Sequence, residues 1–127
     1  TLFEYLTEFA PIANEAWAMF PGDGELADSQ RFSEAAAALN ERLEGMEVPE
    51  SAELMHVTFQ KVVLGIALYH GSWWGVWLYP AQGQAYMAEA DMYASQVIND
   101  YYHIYLPARD NLLETLGLSA EEVGFVD

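Results

Sequence analysis

The chain has 127 residues, of which 20 are Asp or Glu and only four are Lys or Arg, so its formal net charge is −16. This balance excludes a nucleic-acid-binding surface, because contacts with phosphates need clustered cations. The apolar share of 53% and the aromatic share of 14% exclude a disordered acidic tail and suffice for one core. With no cysteine, thiolate metal sites and disulfides are excluded too. We therefore expect a single helical-bundle domain over residues 1–127.

Apolar residues recur every three or four positions in four segments, which is the spacing of a helix with one buried face. The first segment covers residues 2–20, and Pro11 inside it should kink or restart the helix because it removes one backbone donor. The second segment ends near residue 46. Its predicted N-cap is Asp28 or Ser29.

The third and fourth segments follow at proline- and glycine-containing turns. The third opens at Pro49, and the fourth covers about residues 84–116, with Pro107 expected to bend it. After the fourth segment, Gly117 suits the C′ position, and Ser119 followed by Glu122 has the spacing of a capping box. This pattern predicts a short helical turn at the C-terminus.

Four helices joined by short connections pack as antiparallel neighbours. The predicted fold is therefore all-α, an antiparallel up-down-up-down four-helix bundle with a short C-terminal helical turn. This order places the first and third turns at one end. The second turn and both termini lie at the other end, together with many of the carboxylates.

Residues 62–88 contain no Asp, Glu, Lys or Arg, and many of the aromatic residues cluster around the third turn. Together with one tryptophan near the first turn, they form what we call the aromatic end. Its predicted partner-binding residues are Trp17, Trp73, Trp74, Trp77, Tyr79 and Tyr86. Although residues 62–79 are long enough to be compared with a membrane-spanning helix, their glycines and His70 favour a helix buried in the core, with no transmembrane segment.

Small residues also recur on the third helix, where Ala67, Gly71 and Gly75 are spaced four apart. Such a strip lets another helix approach closely, or it leaves a slot for a ligand. Gly71 and Gly75 are therefore further candidate binding residues.

These patterns predict a non-enzymatic interaction or structural module, with no catalytic residue and no cofactor. The aromatic end or the glycine strip would contact an unknown protein or a small apolar ligand. A homo-oligomer is compatible with the same surfaces, whereas nucleic acid is not a partner.

A first alternative is a di-metal carboxylate-bundle oxidase or metal carrier. Two carboxylate-x-x-His motifs, Glu53 with His56 and Asp100 with His103, have the spacing that lets both side chains of a motif ligate on one helix face. Asp100 and His103, however, fall on the polar side of the fourth helix. The alternative requires all four side chains to converge.

A second alternative is an acidic mimic of nucleic acid, because an extended negative surface can occupy a basic groove. It requires carboxylates at regular intervals along one face. Their concentration at the end with the termini argues against it.

Several short features have a familiar layout. They are Tyr5-Leu6, Val48-Pro49-Glu50 with His56 six residues after the Glu, and Pro107-Ala108-Arg109 before Leu112-Leu113. With these features the chain resembles uncharacterised helical domains of bacterial secreted proteins and lipoproteins. The resemblance implies an extracytoplasmic location, secreted or lipid-anchored, and no known activity.

Overall fold

The computed structural model describes residues 1–23 and 25–126, and within them it contains helices and no strand. The predicted all-α four-helix fold is confirmed. The helices are α1 (Leu2–Ala18), α2 (Leu26–Glu44), α3 (Glu53–Leu78), α4 (Gly83–Asn99) and α5 (Leu106–Leu116). A π-helical turn at Asp100–Tyr105 joins α4 to α5, so these two helices make up the fourth member of the bundle.

Helix α3 lies at the centre of the molecule. It packs against α2 on one side, against α4 and the π-helical turn on another, and against α1 on a third. The core is formed by apolar side chains from all of these elements, and its largest fully buried apolar members are Leu6, Phe9, Leu43, Met55, Phe59, Ile66 and Tyr105.

The predicted N-cap of α2 is wrong. The helix begins at Leu26, with Glu25 as the capping residue and no side-chain bond to the first turn. The backbone N–H of Ser29 already donates to the carbonyl of Glu25 (2.8 Å), so the helical ladder has formed before the predicted start. Asp28 instead forms an ion pair with Arg31 (2.6 Å) inside the first turn.

Neither interior proline ends its helix. Helix α1 continues through Pro11, which is exposed, so the expected restart is absent. Before Pro107, the backbone N–H of Leu106 donates to the carbonyl of Tyr101, five residues back, which is a π-helical bond. The proline ring would crowd the carbonyl four residues earlier, and the shifted register relieves this conflict. The helix therefore continues as α5.

The predicted C-terminal turn is confirmed. Gly117 has a left-handed φ of 68° and ends α5. The backbone N–H of Ser119 donates to Glu122 (3.0 Å), and the N–H of Glu122 donates to the Ser119 hydroxyl (3.2 Å), as in a capping box. The short turn at Glu121–Val123 then directs Val123 and Phe125 into the core, where each is 3% exposed.

The glycines of α3 lie at close contacts with neighbouring helices. A Cβ atom at Gly75 would lie 2.6 Å from Cδ1 of Tyr86, whose ring on α4 covers this position. A Cβ at Gly71 would lie 3.5 Å from the Ser33 hydroxyl on α2. Within the strip, Gly75 therefore serves close helix packing, and the alternative of an open ligand slot beside it is wrong because the Tyr86 ring fills that space.

Replacing Gly75 with alanine should lower the free energy of unfolding by about 1–3 kcal/mol, because the added methyl group overpacks the Tyr86 ring. The matched change Gly71→Ala meets only an ordinary contact and should raise it by about 0.5–1 kcal/mol through the better helix propensity of alanine. Urea denaturation of both variants measures the contrast. Stabilisation of the same size at both positions would contradict the packing described here.

Among the described residues, none of the helices combines the length and the apolar character that crossing a bilayer requires.

Candidate functional site

The upper part of α3 extends past the end of α1. His70 on α3 donates a hydrogen bond from Nε2 to the carbonyl of Met19 (2.6 Å), directly after the last residue of α1. His70 precedes the last residue of α3, Leu78, by eight positions, a rise of roughly 12 Å. The last two turns of α3, paired with the start of α4, therefore form a helical hairpin that extends beyond the end of α1.

Three consecutive apolar side chains lie at the end of this hairpin. Trp77 and Leu78 are each 51% exposed, and Tyr79 is 55% exposed. We call Trp77, Leu78 and Tyr79 the hairpin tip. Trp73 and Trp74, one turn below, are half-buried. The structure thus brings most of the predicted binding residues to one place.

Tyr86 fixes the hairpin tip from the side of α4. Its ring lies on Gly75, where there is no side chain to hold it away. The ring of Tyr79 lies beside it, with planes 27° apart and centroids 6.1 Å apart. Because both contacts are within the hairpin, they hold α3 and α4 together directly beside the exposed side chains.

Trp17 lies apart from the hairpin tip. Its ring stacks on that of Tyr101 in the π-helical turn, with centroids 3.6 Å apart and planes 4° from parallel. The ring of Phe20 packs against those of Trp17 and Tyr69 of α3, with centroid separations of 5.5 Å and 5.1 Å. The predicted grouping of Trp17 with the other tryptophans is therefore only indirect, through Phe20 and Tyr69.

His70 is a structural residue beneath the aromatic end. It is buried, with the ring of Phe32 on one side and that of Tyr69 on another, both about 5 Å away. Gly22, with a left-handed φ of 75°, lies against the ring, and a Cβ there would come within 3.0 Å of Cε1. The hydrogen bond to Met19 and this contact together hold the first turn against α3.

Burial lowers the pKa of His70 below its usual 6.5, although its bond to Met19 and the charges of Asp28 and Asp23 act in the opposite direction. The folded chain therefore binds fewer protons than the unfolded chain just below pH 6.5, and stability should fall as the pH drops through this range. In His70→Gln the fall in urea midpoint between pH 8 and pH 5.5 should therefore be smaller than in the unmodified chain. An unchanged pH dependence would show that His70 does not contribute.

The four residues of the di-metal alternative do not form a site. Glu53 and His103 are exposed, whereas His56 is buried. The Nε2–H of His56 donates to the carbonyl of Leu43 (2.9 Å), and its Nδ1 accepts from the Tyr5 hydroxyl (2.7 Å). Since both ring nitrogens are used, neither is available to a metal. Within residues 1–23 and 25–126, no group of three or more His, Asp or Glu could hold an ion.

Two concave sites lie away from the hairpin tip. One is an open groove of ≈ 1000 Å³ between α1 and the end of α2, lined by Glu4, Glu8, Glu41 and Glu47 among others. This crowding of carboxylates at one end differs from the regular spacing that a nucleic-acid mimic needs. The other is a pocket of ≈ 280 Å³ between α1 and the π-helical turn, beside the stacked rings of Trp17 and Tyr101.

The chain matches no protein-family model, no curated protein and no solved structure. The resemblance to domains of secreted proteins and lipoproteins therefore stays a prediction.

Sequence reasoning missed a second exposed apolar surface, on the lower part of α3. Leu54, Val57, Leu64 and Leu68 are all exposed although they lie on the central helix. The sign was present in the sequence, because together with Lys61 these residues are spaced by three or four like the buried stripe but fall outside it.

Proposed function

We propose that the chain is a non-enzymatic interaction module that binds a partner protein through the hairpin tip. The observation that carries this proposal is the exposure of three consecutive large apolar side chains, Trp77, Leu78 and Tyr79. Contiguous exposed apolar surface is unusual on a soluble domain and marks binding sites.

The chemistry of the hairpin tip supports a protein partner. Tryptophan and tyrosine are the residues most enriched among those that dominate the energy of protein interfaces, since they bury much area with few rotatable bonds. Residues 62–88 contain no charged side chain, so this stretch needs little desolvation of charge when a partner covers it.

A small apolar ligand is less well supported than a protein. Ligand sites are concave and surround most of the bound molecule. The three side chains of the hairpin tip are about half exposed and line neither the groove nor the pocket described above. The exposed residues therefore suit contact with the surface of a partner protein.

An extracytoplasmic location, secreted or lipid-anchored, is part of the proposal. Its support is the resemblance of the sequence features to domains of bacterial secreted proteins and lipoproteins.

Photo-crosslinking in the producing cells tests the binding surface. A photoreactive phenylalanine analogue replaces Leu78 at the hairpin tip or, as a control, Phe3 on α1, which is equally exposed (51% and 50%). We expect a discrete protein adduct from position 78 and none from position 3. The adduct should disappear when Trp77→Ser and Tyr79→Ser are added.

Equal adducts from both positions, or an adduct that survives the two serine substitutions, would contradict the proposal. All three side chains at the hairpin tip are about half exposed, so these substitutions should leave the far-ultraviolet circular dichroism spectrum unchanged.

A further inference from the structure

Helix α3 is apolar on every side, which is typical of a helix that neighbours surround completely. Between Glu53 and Leu78 its only charged residues are Glu53 and Lys61. Yet the described neighbours cover only three sides, through α1, α2 and α4 with the π-helical turn and α5. The fourth side of α3 faces solvent along the lower half of the helix.

This uncovered side has the spacing of a coiled-coil seam. Leu54, Val57, Lys61, Leu64 and Leu68 follow one another at intervals of three and four residues, as the a and d positions of a heptad do. The four apolar members are between 46% and 65% exposed. We call these five residues the outer seam. It extends from residue 54 to residue 68, about 21 Å of helix.

The outer seam is bordered by residues of α2 on one side and of α4 on the other. We call these two borders its shoulders. On α2, the Ser33 hydroxyl donates to the carbonyl of Ala67 (3.1 Å), and Ala37, Asn40 and Glu44 follow Ser33 on the same stripe of the helix. The shoulder on this side therefore carries a carboxylate near its lower end.

The shoulder on α4 follows from the contact of Tyr86 with Gly75. Residues at the same helical spacing beyond Tyr86 are Glu89, Tyr93, Gln96 and Asp100. Both shoulders thus include carboxylates, and Glu53 lies at the lower end of the outer seam itself. The surface is an apolar strip with an acidic border.

We infer that the outer seam binds an amphipathic α-helix of a partner protein, with apolar residues at heptad spacing and Lys or Arg along its flanks. Apolar side chains of that helix would pack between those of the outer seam, and its cations would meet Glu44, Glu53, Glu89 and Asp100. The net charge of −16 favours a basic partner at long range as well. With this helix in place, α3 would be covered on all four sides.

A second copy of the chain fits the outer seam less well. Each copy carries a net charge of −16, so two acidic borders would be brought together. In a two-fold arrangement centred on the outer seam, the two Lys61 side chains would also face each other.

Binding of synthetic helical peptides to the purified chain tests the inference. A labelled peptide of about three heptads carries Leu at its a and d positions and Lys on its flanks. A second peptide has Glu on the flanks, and a third has the composition of the first in scrambled order. We expect the basic heptad peptide alone to bind, with a dissociation constant on the order of micromolar, and the binding to weaken as salt is raised.

The variant Leu64→Ser should weaken this binding at least about tenfold, as loss of an apolar anchor does. Ile98→Ser is the matched control, because Ile98 on α4 is equally exposed (46%) and lies outside the outer seam. The inference is independent of the proposed function, so Leu78→Ser at the hairpin tip should leave peptide binding unchanged. Circular dichroism checks that each variant is folded.

Three results would overturn the inference. The scrambled basic peptide binds as well as the heptad peptide, which would reduce the effect to charge alone. Leu64→Ser binds like the unmodified chain, which would place the peptide elsewhere. Sedimentation finds a dimer that Leu64→Ser dissociates, which would make a second copy the occupant.

Discussion

Replacing Phe9 with alanine should lower the free energy of unfolding by about 3–5 kcal/mol, a large share of the total for a domain of this size. Phe9 is fully buried. The centroid of its ring lies 5.3 Å from that of Phe59, 5.9 Å from that of His56, 6.1 Å from that of Phe125 and 6.3 Å from that of Tyr105. These neighbours come from α3, the π-helical turn and the C-terminal tail. A cavity at Phe9 would therefore loosen three separate parts of the chain.

Phe3→Ala is the matched control for Phe9→Ala, since it makes the same change in the same helix at a half-exposed position. We expect it to cost less than about 1 kcal/mol. Urea denaturation followed by circular dichroism measures both variants. Comparable losses at the two positions would show that α1 does not face the core as described.

Replacing His56 with leucine should cost about 2–3 kcal/mol, even though leucine has a suitable size for the site. The change removes the donor to the Leu43 carbonyl and leaves the Tyr5 hydroxyl without its acceptor. The Leu43 carbonyl keeps weaker bonds from the backbone, including one from the Met46 N–H at 3.3 Å. His56 thus links α1, the end of α2 and α3 by polar bonds inside the apolar core.

The variant Tyr5→Phe measures one of the two hydrogen bonds of His56 independently of the other. It removes only the hydroxyl and leaves the bond from Nε2 to Leu43 in place, so we expect a loss of about 1 kcal/mol. A larger loss for Tyr5→Phe than for His56→Leu, measured by urea denaturation, would contradict the central role of His56.

Helical periodicity in the sequence was enough to predict the four helices and their order. Apolar spacing depends on short-range geometry, and the same holds for the C-terminal turn, where Gly117, Ser119 and Glu122 act within a few residues of one another. The predicted start of α2 was wrong because Asp28 and Ser29 are good capping residues when the local sequence is considered by itself. The structure has Glu25 at the capping position instead, and the preceding turn is held by contacts of Met19 and Gly22 with His70, which are contacts between distant segments.

The candidate site was predictable only in part. The absence of charge in residues 62–88 located the aromatic end, but not which of its residues are exposed, because that depends on how far α3 extends beyond α1. The covering of Gly75 by the Tyr86 ring was not predictable either, because it is a contact between two helices. The outer seam was missed because a stripe on a helix that is apolar on all sides does not indicate which side lacks a neighbour.

Hydroxyl-radical footprinting tests the central claim most directly, because it compares the purified chain with the chain in its native cellular material without knowledge of the partner. The proposed function predicts that Trp77, Leu78 and Tyr79 are oxidised several-fold more slowly in the native material, while the equally exposed Phe3 reacts at the same rate in both. Equal rates at the hairpin tip in the two samples would contradict it.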